Sequence, residues 1–199
     1  MKHANIAFFV PHLGCPHACS FCNQKKISGQ SKPLTPQMVI STLENIKTEN
    51  SDPENTELGF FGGSFTAVPY NTMISFLEAA DRYRDKGIFK GIRISTRPDC
   101  VSDEILQTLK KYNVTAIELG AQSTNNEVLR ANNRGHSVRD IYDASERIKK
   151  HGFSLGLQMM TGLYKSSPET DLKTGLDIIS IHPDTVRIYP TVVMKDTLL

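Results

Sequence analysis

The chain has 199 residues, of which 39% are hydrophobic and 22% charged, as is ordinary for one well-buried globular domain. The formal net charge of +2 gives no bulk electrostatic reason to expect a nucleic-acid or membrane partner. The longest apolar run near the N-terminus, residues 6–10, is too short to span a membrane and lacks the pattern of a signal peptide. We therefore expect a cytoplasmic protein with a single domain over residues 1–199.

Short apolar, β-rich runs alternate along the chain with segments of helical periodicity. The predicted strands cover residues 6–10, 58–61, 92–95, 116–119, 154–159 and 185–189. Four of the helices between them begin at predicted N-caps, which are Thr35, Ser102, Ser137 and Ser167. Another helix, over an apolar stripe near residues 73–80, is expected to end at Gly87. The helix after Ser167 is expected to bury three apolar residues, Leu172, Leu176 and Ile179.

This alternation of strands and helices predicts a parallel sheet that is covered by helices. With right-handed crossovers, six such units form either a partial (β/α)6 TIM-like barrel or an open doubly wound sheet. We favour the α/β partial barrel, with parallel strands inside and helices outside. Both arrangements place the functional site at the carboxyl ends of the strands.

Three of the four cysteines follow the first predicted strand in a C-x-x-x-C-x-x-C spacing, at Cys15, Cys19 and Cys22. Three thiolates on one loop can bind three irons of a 4Fe–4S cluster and leave the fourth iron without a protein ligand. Chemistry at a metal requires such an open position, whereas structural metal sites are closed. The spacing therefore predicts a reactive cluster.

The alternative for this loop is a structural zinc site, in which His12 or His17 completes a Cys3His tetrahedron. That alternative describes a zinc-stabilised binding module without catalysis. It explains the cysteines but not the polar residues at successive strand ends. The remaining cysteine, Cys100, is predicted to be a small buried residue and not a ligand.

Polar or glycine residues follow each of the next three strands. Gly62, Gly63 and Ser64 follow the second strand, and a glycine pair lets the backbone approach a ligand closely. Arg97 follows the third strand and is suited to binding a carboxylate. Gln122 follows the fourth strand and is suited to accepting hydrogen bonds from ribose hydroxyls. The alternative for Arg97 is an ion pair with Glu118 at the barrel mouth.

Four residues further along the chain also have predicted roles. Arg134 is interpreted as a contact for a cofactor carboxylate, the alternative being an exposed loop arginine. His136, beside a predicted helix cap, is interpreted as structural. Met159 and Met160 are interpreted as core packing.

The cysteine motif, with Phe21 as an aromatic before the last cysteine, resembles the signature of the radical S-adenosylmethionine superfamily. The resemblance implies that S-adenosylmethionine chelates the open iron of a 4Fe–4S cluster. It further implies that an electron from a donor such as a flavodoxin or ferredoxin splits S-adenosylmethionine into methionine and a deoxyadenosyl radical. This radical then abstracts hydrogen from a substrate. The resemblance also implies that Phe21 contacts the cofactor and that residues 62–64 bind its methionine end, with Ser64 in place of the family's Glu. Tyr189 would meet the adenine.

Four segments in order resemble the radical core of the catalytic subunit of the Elongator complex. They are residues 96–99 (TRPD), 118–123 (ELGAQS), 133–136 (NRGH) and 188–191 (IYPT). The resemblance implies modification of the wobble uridine of tRNA as an alternative function. The sequence departs from the family in having Thr161 where Pro is expected, no basic N-terminal region and no acetyltransferase domain before Leu199. Lys25-Lys26 forms a basic pair near the cysteine loop, which we interpret as a solvated face.

Overall fold

The fold is organised around one six-stranded parallel sheet whose strands are adjacent in chain order. The computed structural model describes residues 4–10, 15, 18–23, 26, 32–46 and 52–199. The strands are β1 (Ala4–Val10), β2 (Thr56–Gly62), β3 (Gly91–Thr96), β4 (Val114–Gln122), β5 (Ser154–Thr161) and β6 (Thr185–Pro190). The strand order runs from β1 to β6 without the reversal of a doubly wound sheet, as in a barrel. Strands β1 and β6 do not pair with each other, so the barrel is open and the sheet is a half-barrel. The predicted partial TIM-like barrel is confirmed.

Helices connect the strands on the outside of this half-barrel. They are α1 (Pro36–Ile46), α2 (Tyr70–Asp81), α3 (Asp103–Lys111), α4 (Asn126–Ala131), α5 (Val138–Lys150) and α6 (Pro168–Ser180). Ser102, Ser137 and Ser167 are N-caps, as predicted. The Ser102 side chain accepts a hydrogen bond from the Ile105 amide, and Ser137 and Ser167 each form a capping box. Within the described residues, no helix is both long and apolar enough to cross a bilayer.

The second predicted helix ends earlier than expected. Helix α2 stops at Asp81, where the Tyr83 amide donates to the Ala80 carbonyl and the backbone tightens. A short 3₁₀ turn, Arg84–Lys86, follows, and Gly87 ends it in the left-handed conformation at φ 63°. The prediction of Gly87 as the helix end was therefore wrong, because the glycine terminates this separate turn.

The hydrophobic core lies between the sheet and the helices, while the inner face of the half-barrel is polar. Along β3, Ile92 and Ile94 are fully buried among apolar residues. Arg93 alternates with them and forms ion pairs with carboxylates from the strands on either side. Successive side chains on a strand point to opposite faces, so one strand serves both the core and the site.

Helix α6 departs from its predicted packing. Leu172, Leu176 and Ile179 are 66%, 60% and 63% exposed, whereas Thr174 and Ile178 are buried. The helix packs mainly on β5. Because β6 is an edge strand and no described helix follows it, no described element packs on the apolar side of α6. The expected burial of this stripe was wrong.

Candidate functional site

A cavity of about 540 Å³ opens at the carboxyl ends of the strands. It gathers the three motif cysteines and every residue predicted to bind the cofactor. Its lining includes Cys15, Cys19, Phe21, Cys22, Gly62, Gly63, Ser64, Arg97, Gln122, Arg134 and Tyr189. The fold thus brings together residues that are up to 174 positions apart (15 to 189) in the chain.

The glycine pair closes β2 against β1 just before the cysteine loop. The Gly63 amide donates to the Val10 carbonyl at 2.9 Å. Gly62 has φ +100°, a conformation that L side chains rarely adopt. The turn therefore requires glycine at position 62, and both glycines line the cavity.

The three motif cysteines form no disulfide bonds with described residues and are of intermediate burial. The Cys22 amide donates to the Cys19 carbonyl at 3.1 Å, which turns the loop back on itself. Across the described part of the chain, no three His, Cys, Asp or Glu side chains are close enough together to bind a metal ion. The three cysteines nevertheless line the same cavity. His12 and His17, the alternative zinc ligands, lie outside the described residues.

Arg134 joins the cysteine loop to the barrel. Its Nη1 donates to Cys19 Sγ at 3.0 Å, and its Nη2 donates to the Gly120 carbonyl at 2.7 Å. The side chain is buried, and its Nε has no hydrogen-bond partner among the described residues. The alternative for Arg134, an exposed loop arginine, was therefore wrong. Arg134 therefore contacts one of the three predicted cluster ligands directly.

The Ser64 hydroxyl is engaged by the protein itself. It lies 2.8 Å from the Thr96 hydroxyl and accepts a hydrogen bond from the Arg97 amide at 3.2 Å. Thr96 also contacts the Thr66 hydroxyl at 2.5 Å. This chain of hydroxyls ties the ends of β2 and β3 together and holds Ser64 in the cavity wall.

Arg97 forms a bidentate ion pair with Asp99, through Nε at 2.9 Å and Nη2 at 2.7 Å. Burial disfavours the charged form of Asp99, but the hydrogen bonds from Arg97 outweigh it and lower the pKa of Asp99 below its ordinary value. The alternative pairing of Arg97 with Glu118 was wrong. Asp99 lies two residues further along the same turn, and its carboxylate pairs with the Arg97 guanidinium instead.

Glu118 instead belongs to an ion-pair network across the barrel interior. Its Oε1 accepts from Arg93 Nη1 at 3.3 Å and lies 2.9 Å from Arg187 Nη2. Arg93 also pairs with Glu57 at 2.8 Å. A Cβ at Gly156 would lie 2.9 Å from Glu118 Cγ, so a glycine there makes room for the carboxylate.

Gln122 lies in a strained position at the end of β4. The register with β5 shifts between Gly120 and Gln122, and Gln122 has φ 67°. Non-glycine residues in this region cost energy and concentrate at functional sites. The bulge directs Gln122 into the cavity wall, where its Oε1 lies 3.4 Å from Gln158 Nε2.

Several cavity residues escaped the sequence analysis. Met160, interpreted as core, lines the cavity, as do Gln158 and Arg187, whereas Met159 is buried as predicted. Cys100 is of intermediate burial, not buried, and lies outside the described lining of the cavity. Strand alternation could have identified Arg187 as a cavity residue. Residues two apart on a strand share a face, and Tyr189 was already predicted to bind the cofactor.

His136 lies behind the cavity, where its Nε2 contacts the Ala121 carbonyl at 3.2 Å. That carbonyl can only accept, so Nε2 carries the proton, and Nδ1 is buried without a partner among the described residues. Burial, aided by the charge of Arg134, lowers the pKa of His136 to about 4. The imidazole is therefore neutral at physiological pH, in keeping with the predicted structural role.

We expect His136 to make the folded protein sensitive to acid. The unfolded imidazole protonates near its ordinary pKa of 6.5 and the folded one near 4, so the free energy of unfolding falls as pH drops through this window. A shift of this size corresponds to roughly 3 kcal/mol, and His136→Gln should remove that dependence. Urea unfolding of the metal-free protein at pH 7 and pH 4.5 measures it, with His182→Asn as an exposed control. An unchanged pH dependence in His136→Gln would contradict the assignment.

The geometry of this half-barrel site agrees with comparisons to known proteins. The family described as the Radical SAM superfamily matches residues 9–186. The chain therefore belongs to the Radical SAM superfamily.

Within that superfamily the chain is similar to Elongator-type proteins. A Methanocaldococcus infernus protein named tRNA uridine(34) acetyltransferase is 38% identical over 177 residues, covering 79% of this chain and 33% of the relative. Elongator complex protein 3 of Homo sapiens is 27% identical over 175 residues, covering 78% and 32%. The solved structure of M. infernus Elp3 with an N-terminal deletion matches with a TM-score of 0.73 at 25% identity, covering 98% and 47%. The chain thus resembles the radical core of the Elongator catalytic subunit and spans a third to a half of these relatives.

Proposed function

We propose that this chain cleaves S-adenosylmethionine reductively at a 4Fe–4S cluster held by Cys15, Cys19 and Cys22. One observation carries the proposal: the three motif cysteines share a cavity with polar strand ends, and Arg134 bridges Cys19 to the barrel. The donor set fits the cluster, because three thiolates leave one iron open. A cluster held by these cysteines would supply the electron for reductive cleavage of S-adenosylmethionine to methionine and a deoxyadenosyl radical, the species that would abstract hydrogen from the substrate.

The residues of the chain would bind and orient the cofactor. The Nε of Arg134 has no hydrogen-bond partner among the described residues, so we assign it to the cofactor's carboxylate. We assign the cofactor's amino group to the backbone of Gly62 and Gly63, because both glycines line the cavity and the Ser64 hydroxyl is already engaged.

Three aromatic and polar residues complete the proposed pocket. We assign Gln122 to the ribose hydroxyls, Tyr189 to the adenine and Phe21 to shielding the cluster from water, because all three line the cavity. Arg97, paired with Asp99, is assigned to shaping the cavity wall near Ser64 and acts on the cofactor through that wall.

Anaerobic reconstitution with iron and sulfide, followed by reduction and addition of S-adenosylmethionine, tests the function. We expect cluster absorbance, iron and sulfide in equal amounts, and 5′-deoxyadenosine on chromatography. A chemical reductant replaces the flavodoxin or ferredoxin that we propose as the natural electron donor. A chain that takes up zinc but no iron or sulfide would contradict the proposal and support a zinc-stabilised binding module.

Modification of a tRNA uridine is the second candidate function, and the likeness to proteins named for that activity favours it. The same assay tests this function if tRNA is added. A substrate that gives a hydrogen atom to the deoxyadenosyl radical should raise the yield of 5′-deoxyadenosine. Binding of tRNA should weaken as salt rises, because it would rest on phosphate contacts. Of the basic pair near the cysteine loop, Lys26 forms an ion pair with Asp196, and Lys25 lies outside the described residues. Absence of binding at low salt would count against tRNA.

A further inference from the structure

The segment after α4 contacts the middle of the cysteine loop through a residue that the sequence analysis did not single out. Ser20 lies between Cys19 and Cys22 and is buried. Its amide donates to the Asn132 carbonyl at 3.2 Å, and its hydroxyl donates to Asn132 Oδ1 at 2.8 Å. Two hydrogen bonds thus join residues that are 112 positions apart.

Asn132 is fully buried, and its side-chain amide is satisfied on both sides. Nδ2 donates to the Val128 carbonyl at 2.8 Å and to the Tyr164 carbonyl at 2.9 Å. Two carbonyls can accept only from the NH₂ end, so Oδ1 must face Ser20. Asn132 therefore connects the last turn of α4, the loop after β5 and the cysteine loop in one orientation.

The remaining backbone group of Ser20 is also engaged. Its carbonyl accepts from the amides of Leu198 and Leu199, at 2.8 and 3.2 Å. Next to it, Arg134 donates to Cys19 Sγ from the same segment that carries Asn132. The donor and acceptor groups of Ser20 are thus held from two directions while the flanking thiols line the cavity.

We propose that Asn132 is a positioning residue for the cysteine loop, and that its clamp on Ser20 places Cys19 and Cys22 at the cavity before iron binds. By the clamp we mean the two hydrogen bonds between Ser20 and Asn132. Its role in cluster binding rests on the proposed function. Holding ligands in place before binding lowers the entropy that binding must overcome. A clamped loop should therefore assemble its cluster faster and lose it more slowly than a released one.

Hydrogen exchange of the metal-free chain tests the clamp without any cluster. Ser20→Ala removes one hydrogen bond, so amides in residues 18–23 should exchange about 2- to 10-fold faster. Ser20→Thr keeps the hydroxyl and should restore slow exchange. Asn132→Asp puts a carboxylate oxygen against two carbonyls and should exceed the effect of Ser20→Ala. The matched control is Ser145→Ala, which removes a buried hydroxyl bonded to the Ile141 carbonyl at 2.7 Å, away from the loop.

The second readout is the rate at which a chelator removes iron from the reconstituted protein. We expect faster loss in Ser20→Ala than in Ser145→Ala, with Ser20→Thr close to the wild type. Equal exchange in residues 18–23 for Ser20→Ala and Ser145→Ala would overturn the clamp. If Asn132→Asp does not fold, the serine variants decide. A wild type that binds no iron would defeat the proposed function, while the exchange rates would still decide the clamp.

Discussion

Cys19→Ser is expected to abolish both the cluster and the formation of 5′-deoxyadenosine. Three thiolates are the proposed ligands, and a serine hydroxyl is not ionised at neutral pH and does not replace a thiolate toward iron. The substitution should leave the helical content intact, because Cys19 is in a loop and only partly buried. Iron and sulfide analysis, absorbance and chromatography of the reaction measure the loss, and circular dichroism measures the fold.

Cys100→Ser is the matched control for this loss. Cys100 is also a free cysteine of intermediate burial, but it lies outside the described lining of the cavity. We expect it to keep the cluster and its activity. Deoxyadenosine from Cys19→Ser at the wild-type rate would contradict the assignment of the ligands. Equal losses in both variants would show a general sensitivity to cysteine replacement.

Arg93→Met is expected to destabilise the fold by about 3–5 kcal/mol, the usual cost of removing one partner from a buried ion pair. The Arg93 guanidinium lies between the buried carboxylates of Glu57 and Glu118, at 2.8 and 3.3 Å. Methionine keeps much of the volume but removes the charge that pairs with both carboxylates. Urea unfolding of the metal-free protein measures the change in the free energy of unfolding.

The surface pair between Arg139 and Asp143 offers the control, because the Arg139 side chain is 88% exposed. Arg139→Met should change the free energy of unfolding by less than about 1 kcal/mol. A loss as small in Arg93→Met would mean that the interior network contributes little to stability. Failure of Arg93→Met to fold would agree with the expectation. Glu118→Gln, which removes one carboxylate of the same network, should then give a smaller decrease in the free energy of unfolding that can be measured.

Much of the fold was predictable because its signals are local. Ser102, Ser137 and Ser167 cap helices through amides within the next three residues, so a few neighbouring positions suffice to recognise them. The strands were predictable because β-branched and apolar residues cluster over short runs. Parallel order and right-handed crossovers then follow from the alternation of strand and helix, which places the cysteine loop at the carboxyl edge.

Charge partners were not predictable in the same way. Arg97 and Glu118 both lie near the barrel mouth, and the sequence permits their pairing. The fold instead gives Arg97 to Asp99 and Glu118 to Arg93 and Arg187. Which ion pairs form depends on strand register and on which face each side chain takes, and neither is a property of one segment.

The sequence by itself determined the helix N-caps, the strand positions, the alternation of parallel strands with helices and the thiol-rich loop, because each is encoded in the spacing of near neighbours. The tertiary structure decided which faces are covered and which distant groups meet. Leu172 belongs to an apolar stripe with correct helical spacing, yet it is exposed, because an edge strand leaves that side of α6 without a described neighbour. Ser20 and Asn132 meet only because the chain folds, since no local pattern relates residues 112 positions apart.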